Sequence, residues 1–325
     1  MTRKEIAVLV LLVSLCAIVA AASPQFLSVA NLQNVGRLVG TYGIFSIGVG
    51  IVIIAGGIDL SVGSICALLG ILLSMMLVEW GWPAGIALAA VLALGGLLGG
   101  AHGLLITRLR LQPFIVTLCG LLLYRGAARY IADDSTKGFG TSAGFEWLRA
   151  LGAGDVAGVP MPFVVMCAVA AVTWLLLHRS VYGRYLFAVG HNEEASRYAG
   201  VNTRAVVASA YAIAGLLTAI SAIIIAFYTN SVSPASHGNF YELYAIAAAV
   251  LGGCSLRGGE GSIVGVVLGT VLLQVLQNLV NLLGIPSSLN FAVMGSVILI
   301  GVLADQQFAE YRKRKAEAVG KTSSA

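Results

Sequence analysis

Of the 325 residues, 58% are hydrophobic and only 10% are charged, with a mean hydropathy of +0.93. A water-soluble surface takes roughly 25% charged residues, so a soluble enzyme is excluded. The long continuous apolar runs, Ala84 to Ile106 among them, exclude a β-barrel of short alternating strands. The net charge of +5 then reads as basic loops beside a membrane and calls for no nucleic acid.

A membrane-spanning helix takes about 20 apolar residues, and lipid offers its backbone no outside partner. The sequence therefore predicts an all-α, polytopic membrane helix bundle of about ten transmembrane helices. They are placed near 6–22, 38–55, 65–78, 84–106, 113–131, 161–177, 206–227, 243–256, 263–283 and 291–304. The first segment, with Arg3 and Lys4 before it and Ala20-Ala21-Ala22 at its end, also has the look of a cleavable signal peptide. Its removal would leave the two termini on opposite sides, and a retained helix is expected.

Thr41 to Val78 is too long for one pass, and Gly56-Gly57-Ile58-Asp59-Leu60-Ser61-Val62-Gly63-Ser64 interrupts it. Irregular backbone at membrane depth survives only where protein or water covers it, and a buried carboxylate usually marks a pathway. The plainer alternative is a turn in which Asp59 caps the next helix through backbone N–H groups. Next in order, Gly95, Gly99 and Gly103, with Gly96 and Gly100, recur every four residues and let a neighbouring helix approach closely. Arg125 and Arg129 share one helix face near its outer end, where long basic side chains snorkel to the interface or line a vestibule.

Arg3-Lys4, Arg108 with Arg110, the loop 178–205 and the tail 305–325 are net basic, whereas the loop 132–160 is net acidic. Ten alternating spans put the basic segments, and with them both termini, in the cytoplasm. Within 178–205, Asn192 can cap a short helix from Glu193 to Ala199, with Glu193 and Glu194 in its first turn and Gly200 ending it. Such a helix beneath a bundle is a docking element or a solvated connector.

A second break, Gly252-Gly253-Cys254-Ser255-Leu256-Arg257-Gly258-Gly259-Glu260-Gly261-Ser262, echoes the first. Both open on Gly-Gly, with Leu60 and Leu256 in the same place. Paired interrupted helices are a habit of transporters, whose solute sites they line. The cysteines Cys16, Cys66, Cys119, Cys167 and Cys254 form no CxxC spacing, and His102, His178, His191 and His237 are scattered, so no metal site is expected. Gly320-Lys321-Thr322 ends like a phosphate-binding loop, but position 315 is Lys rather than Gly. No catalytic residue set is legible.

Several of these stretches carry a resemblance. Val52-Ile53-Ile54-Ala55-Gly56-Gly57-Ile58-Asp59-Leu60-Ser61-Val62-Gly63-Ser64, Gln112-Pro113-Phe114-Ile115-Val116-Thr117-Leu118, the Gly190–Val201 loop, and Tyr241-Glu242-Leu243-Tyr244-Ala245-Ile246-Ala247-Ala248 leading into Gly252-Gly253 resemble permease subunits of ribose-type ABC sugar importers. The resemblance runs from about Asn31 to Asp305 in consistent order. It implies a transmembrane permease domain over 1–305, with a cytoplasmic coupling loop at 178–205, and a basic cytoplasmic tail over 306–325. Gly190, Asn192, Glu193, Glu194, Ala195, Ala199 and Gly200 would couple to a separate ABC ATPase. Gly56, Gly57, Asp59, Ser61, Gly63, Gly252, Gly253, Ser255, Gly258 and Gly259 would line the pathway.

The implied partners are that ATPase, which would hold ATP and Mg while this chain binds no cofactor, a periplasmic or extracellular sugar-binding protein, and a second permease subunit, identical or related. The implied setting is a bacterial inner membrane, and the implied cargo a monosaccharide of the ribose, xylose, arabinose or galactose class. Tyr244, where relatives often carry Asp, and Cys254 and Arg257 depart from the family pattern. A secondary transporter is the competing expectation. It would need several membrane-buried ionisable groups, and Asp59 is the one acid well inside an apolar stretch.

Overall fold

The computed structural model describes residues 3–140, 145–286 and the single positions 289, 292, 295, 296 and 299. Of the helix expected at 291–304 only positions 292, 295, 296 and 299 are described, all of them helical, and the basic tail lies outside the described residues. Two compact units divide the chain, Met1–Leu276 and Gln277–Ala325. In the second, the last turns of a helix end at Leu282, and Gly284 follows in the left-handed region (φ 66°).

In chain order the helices are α1 (Arg3–Ala22), α2 (Val29–Ile54), α3 (Val62–Ser74, prolonged by a π turn, Met75–Glu79), α4 (Ala84–Leu109), α5 (Pro113–Ile131) and α6 (Glu146–Ala153). There follow α7 (Met161–His178), α8 (Val181–His191), α9 (Glu193–Tyr198), α10 (Thr203–Thr229), α11 (Tyr241–Leu251) and α12 (Ile263–Leu282). Among the described residues, eight of these are long and apolar enough to cross a membrane: α1, α2, α3 with its π turn, α4, α5, α7, α10 and α12.

Local chemistry fixes many of the starts. Ser28, Ser180, Asn192 and Asn202 each accept a backbone N–H of the following first turn, and Pro113 opens α5 where no N–H is needed. The starts of α2 and α3 lie earlier than hydropathy suggests, because the mixed stretch 29–37 and residues 62–64 of the motif are helical too.

The interior is built on α2, α3 and α10, buried over most of their lengths, with α4, α5 and α7 around them. Gly95, Gly99 and Gly103 lie against α10, where a methyl at Gly95 would stand 2.6 Å from the Ala219 Cβ and one at Gly103 2.5 Å from the Ala208 Cα. The expected close approach is made by that triplet; Gly96 faces open space.

One expected span is corrected. The helix placed at 243–256 is α11, and its 11 residues rise about 16 Å, half of a bilayer core. Its first residue, Tyr241, packs its ring on Tyr42 (4.9 Å) and Phe45 (5.6 Å), near the middle of α2. The preceding residues 233–240 re-enter the bundle from a small sheet in which β1 (Lys137–Gly138) pairs with β4 (Ser231–Val232). The segment 233–240 and α11 together take the place of the single long helix expected here. Glu79 holds Lys137 of this sheet (2.7 Å), and Arg37 grips both oxygens of Asp155 in a separate hairpin of β2 (Asp155–Val156) and β3 (Val159–Pro160).

Candidate functional site

At the first break α2 stops by backbone geometry. Gly56 takes a left-handed conformation (φ 85°), its N–H bonds the carbonyl of Ile53, and that of Gly57 bonds Val52, both at 2.9 Å. The next residues have no regular structure, and the Ile58 carbonyl accepts from the Tyr211 hydroxyl (3.2 Å), with Thr117 Oγ1, which also reaches the Pro113 carbonyl (2.9 Å), lying 3.3 Å away. Gly57 has an ordinary φ but no room, since a Cβ there would run into the Tyr211 hydroxyl.

Asp59 is wholly buried. Its Oδ1 accepts the Ser61 N–H (2.9 Å) and hydroxyl (2.6 Å), and Ser61 Oγ lies 3.4 Å from His102 Nδ1. The Tyr124 hydroxyl lies 2.9 Å from His102 Nε2. Asp59 Oδ2 has no partner among the described residues. The capping alternative thus describes one oxygen of Asp59 and leaves the other unspent. His102 and Tyr124 complete this chain, and no sequence signal joined them to it.

The second break repeats the first in a shifted register. Gly253 is the left-handed residue (φ 94°), its N–H bonds Val250, and that of Cys254 bonds Ala249, both at 2.9 Å. Gly253 therefore matches Gly56, and Cys254 matches Gly57. The Gly-Gly echo aligned these pairs one residue off, and Leu60 and Leu256 are not equivalent. Cys254 is buried and packs as an apolar filler. The Ser255 N–H bonds the Glu260 carbonyl (3.0 Å), and Ser255 Oγ accepts the N–H of Arg257 (3.3 Å), closing a tight loop. Ser262 Oγ accepts the N–H of Gly265 at the start of α12 and donates to Glu5 (2.5 Å), while Lys4 pairs with Glu260 (3.1 Å). The first turn of α1 is thereby tied to this loop.

The two breaks meet at the end of α8. The N–H of Gly259 bonds the Ile54 carbonyl at 2.9 Å. Gly190 lies so close that a side chain there would overlap the Ile54 carbonyl and stand 2.6 Å from the Gly259 nitrogen. Gly258 (φ 84°) is as close to Gly56 and to the Gly190 carbonyl. Beyond this junction Asn192 Oδ1 accepts the Ala195 N–H (2.9 Å), Glu193 accepts from Thr203 (3.1 Å), and Gly200 (φ 85°) ends the turn as expected. In α9 only Ser196 is buried; Glu194, Ala195, Arg197 and Tyr198 are exposed, as is Ala199 just beyond it. The expected loop 178–205 is therefore mostly helix, and α8 within it was missed.

Arg125 and Arg129 part company. Arg129 pairs with Asp134 (2.6 Å) at the surface, whereas Arg125 donates to the carbonyls of Pro234 (3.0 Å) and His237 (2.7 Å) and fastens the re-entrant segment. That segment rests on the start of α3, where a Cβ at Gly63 would meet the Gly238 carbonyl and Glu242 Oε2. Among the described residues no group of three or more His, Cys, Asp or Glu is placed to hold a metal.

Interrupted helices packed into a bundle of apolar helices, with an exposed helical elbow on one face, define a polytopic helical membrane protein. The chain belongs to the family described as "Branched-chain amino acid transport system / permease component", whose model matches residues 31–302. It is 39% identical over 300 residues to the ribose import permease protein of Escherichia coli strain K12, covering 92% of each chain. It is 39% identical over 293 residues to that of Bacillus subtilis, covering 89% of each. The xylose transport system permease protein of Escherichia coli strain K12 is 31% identical over 337 residues, covering 86% of each. No solved structure matches the chain.

Proposed function

We propose that this chain is the membrane subunit of an ATP-driven importer of a monosaccharide of the ribose, xylose, arabinose or galactose class. The observation that carries the reading is the junction at Gly190, where the segment leading to the exposed α9 is packed backbone to backbone against both helix breaks. A push on α9 is then delivered to both breaks together. Two ABC ATPase subunits, holding ATP and Mg between them, supply that push on this chain and on a second permease subunit. Rigid-body rocking of the bundles opens the pathway to each side in turn. An external sugar-binding protein supplies the solute and most of the selectivity. In this reading the protein lies in a bacterial inner membrane with α9 and both termini in the cytoplasm.

The test is reconstitution in liposomes with an ABC ATPase and a sugar-binding protein from the same organism, followed by uptake of D-ribose and D-xylose. Uptake that requires ATP, the ATPase and the binding protein supports the reading. Uptake by the permease alone, driven by a proton or sodium gradient, would make it a secondary transporter instead.

A further inference from the structure

We propose that Asp59, His237 and Glu242, gathered where the start of α3 meets the re-entrant segment and held there by Arg125, form a transit site for the hydroxyl groups of a neutral polyol. This rests on the reading of the chain as a sugar importer and names the residues that meet the sugar within it.

Asp59 is 0% exposed and His237 is 9% exposed, yet Asp59 Oδ2 and His237 Nε2 have no partner among the described residues. A buried polar atom without a partner costs on the order of 1–3 kcal/mol, and two such atoms sit in the same region of a chain that elsewhere saturates its breaks with care. Glu242 is nearly as buried, and its carboxylate abuts the Gly63 backbone, four residues after Asp59 and beside the Gly238 that follows His237. Asp59 and Arg125 both lie within electrostatic reach of Glu242.

The chemistry of the set selects the ligand class. Carboxylate oxygens accept hydrogen bonds, and a neutral imidazole nitrogen accepts or donates one, so the free valences match hydroxyl donors. Arg125 spends its Nη1 on two carbonyls and interacts with Glu242, and with Asp59 the set holds two acidic groups to one guanidinium, which leaves no surplus positive charge for an anion.

The placement suits transit rather than storage. The groups come from three separate parts of the bundle: the first break, α5, and the re-entrant segment with α11. Here the contact of Gly63 with Gly238 holds them closed together. Parting of that contact during alternating access would expose Asp59 Oδ2, Glu242 and His237 Nε2 to one solute at once.

The experiment uses the complete reconstituted transporter with saturating binding protein, and compares maximal uptake of D-ribose with that of 2-deoxy-D-ribose. Asp59→Asn keeps the acceptor that Ser61 uses but turns the free oxygen into a donor, and Glu242→Gln does the same at the second carboxylate. Because the external protein sets KM, the variants should leave KM in place, lower maximal D-ribose uptake about tenfold, and shrink the preference for D-ribose over its deoxy analogue. A merely structural lesion lowers both solutes in the same proportion, so an unchanged preference ratio overturns the proposal. A wild-type complex that carries no pentose overturns the importer reading for that class, and this site with it; pentose uptake with unaltered ratios in the variants overturns the site alone.

Discussion

Glycine does two different jobs at the first break, and they predict different phenotypes. Gly56 supplies a left-handed turn that costs another residue about 1–2 kcal/mol. Gly57 supplies space for the Tyr211 hydroxyl, which in turn satisfies the Ile58 carbonyl. Gly57→Ala should therefore lose uptake and lower stability by about 1–3 kcal/mol through overpacking. In the double variant with Tyr211→Phe, removal of the hydroxyl makes room, and part of both losses should return. A thermal-unfolding cycle of the two single variants and the double measures this, and strictly additive losses would contradict the assignment. Hydropathy marked the break, and the Gly-Gly pair marked its sharpness. Which glycine turns and which gives way is a matter of φ and of a neighbour from α10, and neither is written in the local sequence. The same blindness put the echo at Gly252-Gly253 out by one.

At the scale of elements, legibility followed how local the cause was. The helix α9 was readable because its cap at Asn192, its acidic first turn and its stop at Gly200 are neighbours in sequence. The half-helix α11 was misjudged as a span because the apolar run continues to Leu256, and composition does not register that Gly253 turns the chain. Among the candidate site residues, Asp59 and Ser61 do meet, but their partners His102 and Tyr124 come from α4 and α5. The exposed face of α9 carries its own prediction. Ala195→Glu or Ala199→Arg places an unpaired charge where a groove of the ATPase would close, a change that costs about 2–5 kcal/mol when such a charge is trapped in an interface. Uptake and stimulated ATP hydrolysis should fall together while the amount of protein in the membrane stays near normal. Full uptake by these variants would remove α9 from the interface.

At the scale of the whole molecule, composition settled that the chain is a helical membrane bundle, and charge asymmetry proposed which face looks inward. That orientation is open to direct test. Single cysteines at Thr136 and at Glu194, both exposed and on opposite faces of the bundle in this account, should label in intact cells with a membrane-impermeant maleimide at the first position only. Labelling at Glu194 instead would invert the topology.

What no stretch of sequence could announce is that Gly56, Gly190 and Gly258 come together, since each lies in a different motif and only the fold joins them. Coupled transport requires that junction to carry the drive from α9 to the breaks. Gly190→Ala should wedge the Ile54 carbonyl away from the Gly259 N–H and leave the docking face of α9 intact. The decisive measurement is the number of solute molecules taken up per ATP hydrolysed, in liposomes holding the wild-type or the Gly190→Ala complex at equal amounts of folded protein. The account predicts that hydrolysis continues while uptake per ATP falls about tenfold, a loss of coupling of about 1.4 kcal/mol. An unchanged ratio in the variant would contradict it.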